Sequence, residues 1–160
     1  VLILIFRPYR TGDLIQVNDF VGHVIEIQIL NTIIATFDNK TVIIPNSVPI
    51  SGIITNLSAR KYLRVELKVA ISITENFEKV QAILLEALRN TPKVLSDPAP
   101  FVGINHFNIH NMILDIQPYA TVEDYWSVYY EAYRQVKKVL GEHNIQVMFP
   151  EEGKLADFAA

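Results

Sequence analysis

The sequence predicts an α+β protein in which a small all-β barrel domain is followed by a ferredoxin-like domain. Two observations carry this prediction. Short runs of β-branched residues, separated by polar turns, fill the chain up to residue 60 and keep no helical period. Beyond residue 60 the pattern changes to strand, helix, strand, strand, helix, strand, which is the ferredoxin-like βαββαβ order.

The first domain is predicted from apolar runs and the turn residues between them. Strands are expected on either side of Asn18-Asp19 and of Asp38-Asn39-Lys40, because Asn and Asp bond their own backbone and tolerate positive φ. Gly22 lies inside the second run, where a bulge or a close backbone approach is expected. Strands this short make a useful core only when the sheet curls, so an SH3-like or Sm-like barrel is favoured.

An unusual Pro45-Asn46-Ser47 corner follows the apolar run of the fourth strand. Pro45 has no N–H for the ladder, so the strand is predicted to end there. Asn46 or Ser47 is expected to cap a short helical turn. Ser47 lacks the flanking glycines of a nucleophile elbow, so this corner is interpreted as structural.

Two helices are predicted in the second domain. Thr74 is expected to cap the first helix, and Thr121 the second. The apolar stripe of the first helix comprises Phe77, Val80, Ile83, Leu84, Ala87 and Leu88. The stripe of the second comprises Val122, Tyr125, Trp126, Tyr129, Tyr133, Val136 and Leu140. Tyr130 lies off that stripe, where it is a candidate contact with a neighbouring subunit.

The strands of the second domain are expected at 62–71, 101–109, 112–117 and 145–149. The chain is therefore divided as follows: residues 1–8 are the end of a membrane helix or a first strand, 9–60 the β domain, 61–150 the α/β domain and 151–160 a tail.

Composition limits the function classes. Hydrophobic residues make up 50% of the 160-residue chain, which is ample for a core. The net charge of −3 argues against a nucleic-acid-binding surface. The absence of cysteine excludes disulfides, thiolate zinc sites and a cysteine nucleophile. With no glycine-rich phosphate loop in the sequence either, we expect no cofactor.

Several titratable residues are candidates for a metal site or a catalytic site. His106 and His110 are four residues apart, but they lie in a predicted strand and turn without a third ligand nearby in sequence. Asp13 and Asp38 are turn formers, and their spacing gives no acid–base pair. The sequence therefore predicts neither a metal site nor a catalytic site.

The chain begins with six apolar residues, Val1 to Phe6, followed by Arg7 and Arg10. This pattern fits the end of a longer apolar segment that meets a basic boundary. It equally fits a buried first strand, and the sequence leaves both interpretations open.

The stretch from residue 7 to residue 56 resembles the β domain of the small-conductance mechanosensitive channel family, and the resemblance continues more faintly to about Pro150. The matching positions, in order, are Arg7, Pro8, Tyr9, Arg10, Gly12, Asp13, Gly22, Val24, Glu26, Ile27, Thr32, Thr36, Asp38, Val42, Ile44, Pro45, Asn46, Ser47, Ile54 and Asn56. The resemblance implies a structural motif made of Gly12, Asp13, Gly22, Asp38, Pro45, Asn46, Ser47 and Asn56. It also implies a membrane interface at Phe6, Arg7 and Arg10.

The same resemblance implies the function. The chain is expected to be the cytoplasmic portion of a non-enzymatic homoheptameric channel of the inner membrane, anchored in the lipid bilayer by upstream helices. Membrane tension would open it and release ions and small solutes during osmotic downshock. The alternative is a soluble non-enzymatic binding module, built of a small barrel and a ferredoxin-like domain.

Overall fold

The computed structural model describes residue 6 and residues 8–148, apart from the side chains of Ile50 and Ser51. The expectations for residues 1–5, for Arg7, for the end of the closing strand at Phe149 and for the tail at 151–160 fall outside the described residues. The chain divides into two compact units, Val1–Lys61 and Tyr62–Ala160.

Residues 14–56 of the first unit form five strands and one short helix. In chain order they are β1 (Leu14–Val17), β2 (Phe20–Ile27), β3 (Asn31–Thr36), β4 (Thr41–Pro45), α1 (Ser47–Ser51) and β5 (Ile54–Asn56). The strands form one antiparallel sheet in the order β4-β3-β2-β1-β5, which leaves β4 and β5 at its edges. Its core is formed by Tyr9, Ile15, Val17, Val24, Ile34 and Ile44.

The predicted turns of this unit are confirmed. Asn18 and Asn39 adopt positive φ angles of 51° and 61°, as expected for Asn in tight turns between strands. Gly22 makes the close backbone approach, while the bulge of β2 lies two residues further on, between Val24 and Glu26. The strand β4 ends at Pro45 as predicted.

The second unit combines two helices with two antiparallel sheets. Its elements are β6 (Leu63–Arg64), β7 (Leu67–Ser72), α2 (Phe77–Arg89), β8 (Phe101–Phe107), β9 (Asn111–Gln117), β10 (Tyr119–Ala120), α3 (Tyr125–Glu142) and β11 (Val147–Met148). The main sheet has the order β11-β7-β9-β8, and β6 pairs with β10 in a separate two-stranded sheet. The sheets and both helices share one apolar core.

The predicted start of α2 was wrong by two residues. The helix begins at Phe77, and the side chain of Asn76 caps it by accepting a 2.8 Å hydrogen bond from the Lys79 N–H. The Thr74 hydroxyl instead shares a 2.8 Å hydrogen bond with the Ser72 hydroxyl. The predicted stripe is confirmed, since Val80, Leu84, Ala87 and Leu88 are buried and Phe77 and Ile83 pack against the same core.

The predicted stripe of α3 is confirmed in part. Val136 and Leu140 are buried as predicted, whereas Val128 and Ala132, also on the buried face, were not predicted. The expected aromatic residues lie beside this face, and 43% of Trp126 is exposed. The aromatic side chains drew the prediction to one side because a small residue such as Ala132 gives a weak apolar signal.

The start of α3 and the first strand of the unit also differ from expectation. Thr121 Oγ1 accepts from the Asp124 N–H at 3.3 Å, but the helix itself begins at Tyr125. The strand predicted at 62–71 is two strands, β6 and β7, each with its own partner. Within the described ranges, no helix combines the length and apolar character that crossing a bilayer requires.

Candidate functional site

A buried hydrogen-bond chain links three parts of the first unit. The Tyr9 hydroxyl lies 2.8 Å from Thr32 Oγ1, and Thr32 Oγ1 donates to Asn46 Oδ1, also at 2.8 Å. Asn46 Nδ2 donates to the Gln28 carbonyl at 2.8 Å and to the Ile29 carbonyl at 3.1 Å. Tyr9, Thr32 and Asn46 are each at most 5% exposed. These hydrogen bonds thus join the segment before β1, the start of β3 and the start of α1.

The direction of each hydrogen bond in this chain is fixed by the number of protons available. Both Asn46 amide protons go to carbonyl oxygens, and the single Thr32 hydroxyl proton goes to Asn46. The Tyr9 hydroxyl is therefore the donor to Thr32. Burial raises the pKa of the Tyr9 phenol above its ordinary value, which keeps its proton in place at neutral pH.

The predicted capping role of Asn46 is wrong in its detail. Asn46 occupies the N-cap position of α1, but its side chain makes no capping hydrogen bond to the helix. Its amide instead holds residues 28–30, which we call the β2–β3 loop, and its backbone N–H donates to the Leu30 carbonyl at 2.8 Å. The tertiary hydrogen bonds therefore take the groups that a local cap would use.

A second set of hydrogen bonds fixes residues 8–13, which we call the entry segment. Asp13 Oδ2 accepts from the Arg10 N–H at 3.0 Å and from Asn56 Nδ2 at 2.9 Å. Asn56 Nδ2 also donates to the Pro8 carbonyl at 3.4 Å. Gly12 has a φ of +93°, a region that favours glycine, and its N–H donates to the Val24 carbonyl at 2.7 Å.

The far side of Asn56 is fixed through Ser58. Asn56 Oδ1 accepts from the Ser58 N–H at 3.0 Å, and Ser58 Oγ accepts from the Leu14 N–H. The Leu57 N–H donates to the Leu14 carbonyl at 2.8 Å, which extends the contact between β1 and the chain that follows β5. Asn56 is thus held from both sides and presents its amide to the entry segment.

Gly22 is required by the spacing of two strands. A Cβ atom at this position would lie 2.5 Å from the Ala35 carbonyl oxygen and 2.9 Å from its carbon. Both are backbone atoms of β3, so they cannot move without separating β2 from β3. Any larger residue at position 22 would therefore disturb the centre of the sheet.

Asp38 stabilises the turn between β3 and β4. It pairs with Lys40 at 2.6 Å and accepts from Thr36 Oγ1 at 2.5 Å. These hydrogen bonds, that from Lys40 first, hold the pKa of the Asp38 carboxyl below its ordinary value. Both charged side chains are exposed, so this pair is screened by solvent and contributes little to stability.

The other predicted positions are on the surface. Pro45 and Ser47 are exposed, on either side of the buried Asn46. Of the residues expected at the membrane interface, Phe6 is 75% exposed and Arg10 is exposed, whereas Arg7 lies outside the described residues. The structure thus brings Asp13 together with Asn56, and leaves Gly22, Asp38 and the corner at separate places in the sheet.

No reactive centre is found among the residues that the structure describes. They contain no group of three or more His, Cys, Asp or Glu side chains placed to hold a metal ion. His106 is exposed on β8 and contacts Asn105 Oδ1 at 2.6 Å, and His110 lies in the turn before β9.

The aromatic residues of α3 form a continuous cluster along one side of the helix. Neighbouring rings meet edge to face, with centroid separations of 5.2 Å for Tyr125 and Trp126, for Tyr129 and Tyr130, and for Tyr129 and Tyr133. Tyr130 is 67% exposed and lies at the outer border of this cluster. It is the member with the most free surface for a contact with another molecule.

Sequence reasoning named Tyr9 and Thr32 only as positions that match the family, and it assigned no role to Ser58. Tyr9 and Thr32 are single polar residues in ordinary positions, and their partners are 23 and 14 residues away. The signal available was the burial of Thr32, which a strand pattern with an inward-facing polar residue indicates. A buried hydroxyl needs a partner, and that requirement points to Tyr9 and Asn46.

Two protein-family models match the chain in succession. The mechanosensitive ion channel β-domain model matches residues 1–59. The model of the C-terminal region of the mechanosensitive ion channel MscS matches residues 65–147, which is more than half of the chain.

Curated relatives carry the same family name. A small-conductance mechanosensitive channel of Edwardsiella ictaluri is 28% identical over 151 residues, which cover 94% of this chain and 53% of the relative. An uncharacterised MscS family protein of Buchnera aphidicola is 32% identical over 94% of this chain and 54% of its own length. The chain therefore spans about half the length of these relatives.

Solved structures share the fold. Helicobacter pylori MscS in a closed state matches with a TM-score of 0.85 at 21% identity, covering 96% of this chain and 61% of the other. Arabidopsis thaliana MSL1 matches with a TM-score of 0.77 at 22% identity, covering 93% and 54%. The two domain models, the relatives and the fold agree, and we conclude that this chain belongs to the MscS family of mechanosensitive ion channels.

Proposed function

We propose that this chain is the cytoplasmic portion of a channel that opens under membrane tension and releases ions and small solutes during osmotic downshock. The observation that carries the proposal is the succession of two channel-domain matches, at residues 1–59 and 65–147, over nearly the whole chain. The family is one of ion channels rather than enzymes. The geometry of the described residues, which holds backbone segments together, suits a transmitting or supporting role.

We assign the β domain to residues 9–60 as a half-closed SH3-like or Sm-like barrel. The bulge in β2 supports this assignment because bulges bend and twist a strand. The short link from Pro45 through α1 to Ile54 also supports it, since it runs between the two edge strands of the sheet. The rest of the chain, from residue 61 to 150, is assigned as ferredoxin-like on its element order and on the sheet order β11-β7-β9-β8.

We further propose that seven copies form a ring. The exposed apolar side chains of the β domain support a packed assembly, because contact between copies would remove them from water. They are Phe20, Ile25, Ile29, Leu30, Phe37, Ile43 and Ile53. Contact between neighbouring β domains would also protect the open edges β4 and β5 from unspecific pairing.

In this assembly the residues singled out in the sequence have structural roles. Asn46, Asp13 and Asn56 fix the entry segment and the β2–β3 loop, and Gly22 allows β2 to approach β3. Pro45 and Ser47 shape the corner at the start of α1. Gly12 supplies the positive φ that the entry segment requires, and Asp38 supports the turn between β3 and β4. Tyr130 is assigned to the contact with a neighbouring α/β domain.

We assign two basic residues, Arg7 and Arg10, to the cytoplasmic surface of the inner membrane. Arg7 and Arg10 follow an apolar run, as the excess of Lys and Arg on the cytoplasmic side predicts. Phe6 would lie at the same boundary. The α/β domains of the seven copies would enclose a vestibule, with lateral openings between subunits for ions and small solutes.

The test is survival of osmotic downshock. The full-length gene is expressed in a host that lacks its own mechanosensitive channels, and cells are transferred from high to low osmolarity. We expect the gene to restore survival, and expect a Gly22→Ala variant to restore less because the clash with the Ala35 backbone weakens the β domain. Equal death of cells with and without the wild-type gene, at matched membrane expression, would overturn the proposal.

A further inference from the structure

We propose that the hydrogen bonds from Tyr9 to Thr32 and from Thr32 to Asn46 form a latch that couples the entry segment to the β2–β3 loop and opposes channel opening. Breaking the latch would then lower the tension at which the channel opens. This inference rests on the proposed function for its effect on gating, whereas the coupling itself is a property of the fold.

The first step is that the latch is complete and directional. Tyr9 donates to Thr32 and Thr32 donates to Asn46, each at 2.8 Å, and Asn46 then donates to two carbonyl groups of the loop. Every proton of these three polar groups has an acceptor. A buried chain of this kind is stronger than its separate members because each bond polarises the next.

The second step is that Tyr9 is the buried attachment of the entry segment. Its side chain is 1% exposed and belongs to the core of the β domain. The side-chain hydrogen bonds that hold residues 8–10, from Asn56 to Pro8 and from the Arg10 N–H to Asp13, involve exposed or half-buried groups. A force that pulls residues 8–10 away from the sheet must therefore extract Tyr9 and separate its hydroxyl from Thr32.

The third step is that the loop at the other end of the latch faces solvent. Ile29 is 67% exposed and Leu30 is 75% exposed, although their backbone carbonyls are held by Asn46. The entry segment, which follows the apolar start of the chain, and this apolar loop are thus joined through three side chains. Displacement of either one is opposed by the other.

The coupling is tested first by amide hydrogen exchange on the full-length protein. Tyr9→Phe keeps the ring and removes only the hydroxyl. We expect exchange of the Gln28 and Asn46 amides, which donate to Asn31 and Leu30, to accelerate about fivefold, the effect of one lost hydrogen bond. The Asn39 amide, in the next hairpin, should exchange at an unchanged rate and serves as the internal reference.

Three further variants separate the latch from a general loss of stability. Thr32→Val removes the middle hydroxyl at nearly constant volume and should accelerate the same amides at least as much. Thr32→Ser keeps the hydroxyl and should exchange less rapidly than Thr32→Val at these amides. Tyr62→Phe removes the hydroxyl from an exposed ring of the second unit and should leave these amides unchanged. Unchanged exchange at Gln28 and Asn46 in Tyr9→Phe would overturn the coupling.

The effect on gating is tested by measuring the membrane tension that half-opens the full-length channel in excised patches. We expect Tyr9→Phe and Thr32→Val to open at lower tension than the wild type, and Tyr62→Phe at the same tension. Faster exchange with an unchanged or higher opening tension in Tyr9→Phe would overturn the role in gating. If the wild type gives no tension-dependent current, the proposed function fails, and the exchange rates still decide whether the latch couples the two segments.

Discussion

Asn56 Nδ2 donates a 2.9 Å hydrogen bond to Asp13 Oδ2, across 43 residues of sequence. The same amide reaches the Pro8 carbonyl, and the same carboxylate accepts from the Arg10 N–H. One side-chain pair therefore connects the beginning of the β domain with its last strand. This contact explains why Asp13 and Asn56, at opposite ends of the domain, belong to a single structural unit.

Removing the Asp13 carboxylate should loosen this unit. Asp13→Ala leaves the Arg10 N–H and the Asn56 amide without their acceptor, and we expect a loss of about 1 to 2 kcal/mol of unfolding free energy. The exposed Asp19→Ala is the matched control, with an expected change within about 0.5 kcal/mol. Urea unfolding followed by amide exchange in β1 and β2 measures both. Equal losses in the two variants would contradict the contact.

Asn46→Ala should be more damaging, because three partners lose a hydrogen bond at once. The buried Thr32 hydroxyl would lose its acceptor, and the carbonyls of Gln28 and Ile29 would lose their donor, so we expect a loss of about 3 kcal/mol. Gln28→Ala removes an exposed amide from the same loop and should cost less than about 0.5 kcal/mol. The β-domain unfolding free energy distinguishes the two.

The readout must be chosen for this domain. Trp126 is the one tryptophan of the chain and belongs to the second unit, so its fluorescence follows that unit. Exchange of the β2 and β3 amides follows the first. In Asn46→Ala, a changed fluorescence transition with unchanged exchange of the β2 and β3 amides would contradict the prediction. It would show that the buried hydrogen bonds of Asn46 do not stabilise the β domain.

Two glycine substitutions should have opposite effects on stability. Gly22→Ala places a methyl group 2.5 Å from the Ala35 oxygen, and we expect a loss of about 2 to 3 kcal/mol as β2 and β3 separate. Gly141→Ala lies near the end of α3 with no atom within 4 Å of the new methyl group. It should gain up to about 0.5 kcal/mol because alanine favours the helix. Thermal unfolding of each unit gives the sign, and a tolerated Gly22→Ala would contradict the close approach.

Glu131 on α3 should titrate far below an ordinary glutamate. Arg134 donates to it at 2.6 and 2.9 Å, and Gln135 at 2.8 Å; together they lower the pKa of its carboxyl from 4.5 to about 2. Because the folded-state pKa is the lower one, the stabilising contribution is present above pH 4.5 and is lost as the pH falls through about 2.

The Glu131 titration is measured by NMR of its side-chain carboxyl carbon. Arg134→Gln should raise the pKa towards 4.5, and high salt should do so in part because the pair is exposed. Lys138→Gln, which removes the partner of Glu142 instead, should leave the Glu131 titration unchanged. A wild-type midpoint near 4.5 would contradict the pairing.

Local sequence patterns predicted much of the fold. They did not predict the hydrogen bonds between side chains that are distant in the sequence. Turns at Asn18 and Asn39 follow from residue type, and the end of β4 follows from the missing N–H of Pro45. The helix start at Phe77 was missed because Thr74 and Asn76 are both acceptable caps in sequence. The choice between them depends on where the chain leaves β7.

The candidate site illustrates the same limit. The importance of Asn46 was predicted from the corner in which it lies, but its interpretation as a cap was wrong because its partners are 14 to 18 residues away. In the sequence, Tyr9 cannot be distinguished from any other aromatic residue of a core. Its partner, the buried Thr32, is 23 residues away. Distant pairing of this kind is determined by sheet register, which short-range patterns do not contain.

The most direct test of the central proposal is the electrical response of the full-length protein to membrane tension. The purified protein is reconstituted into giant liposomes, and suction is applied to excised patches while current is recorded at constant voltage. The account predicts stepwise currents that appear as suction increases, close when it is released and are absent from protein-free liposomes. Patches that contain correctly assembled protein and pass no current up to the tension at which the bilayer breaks would contradict it.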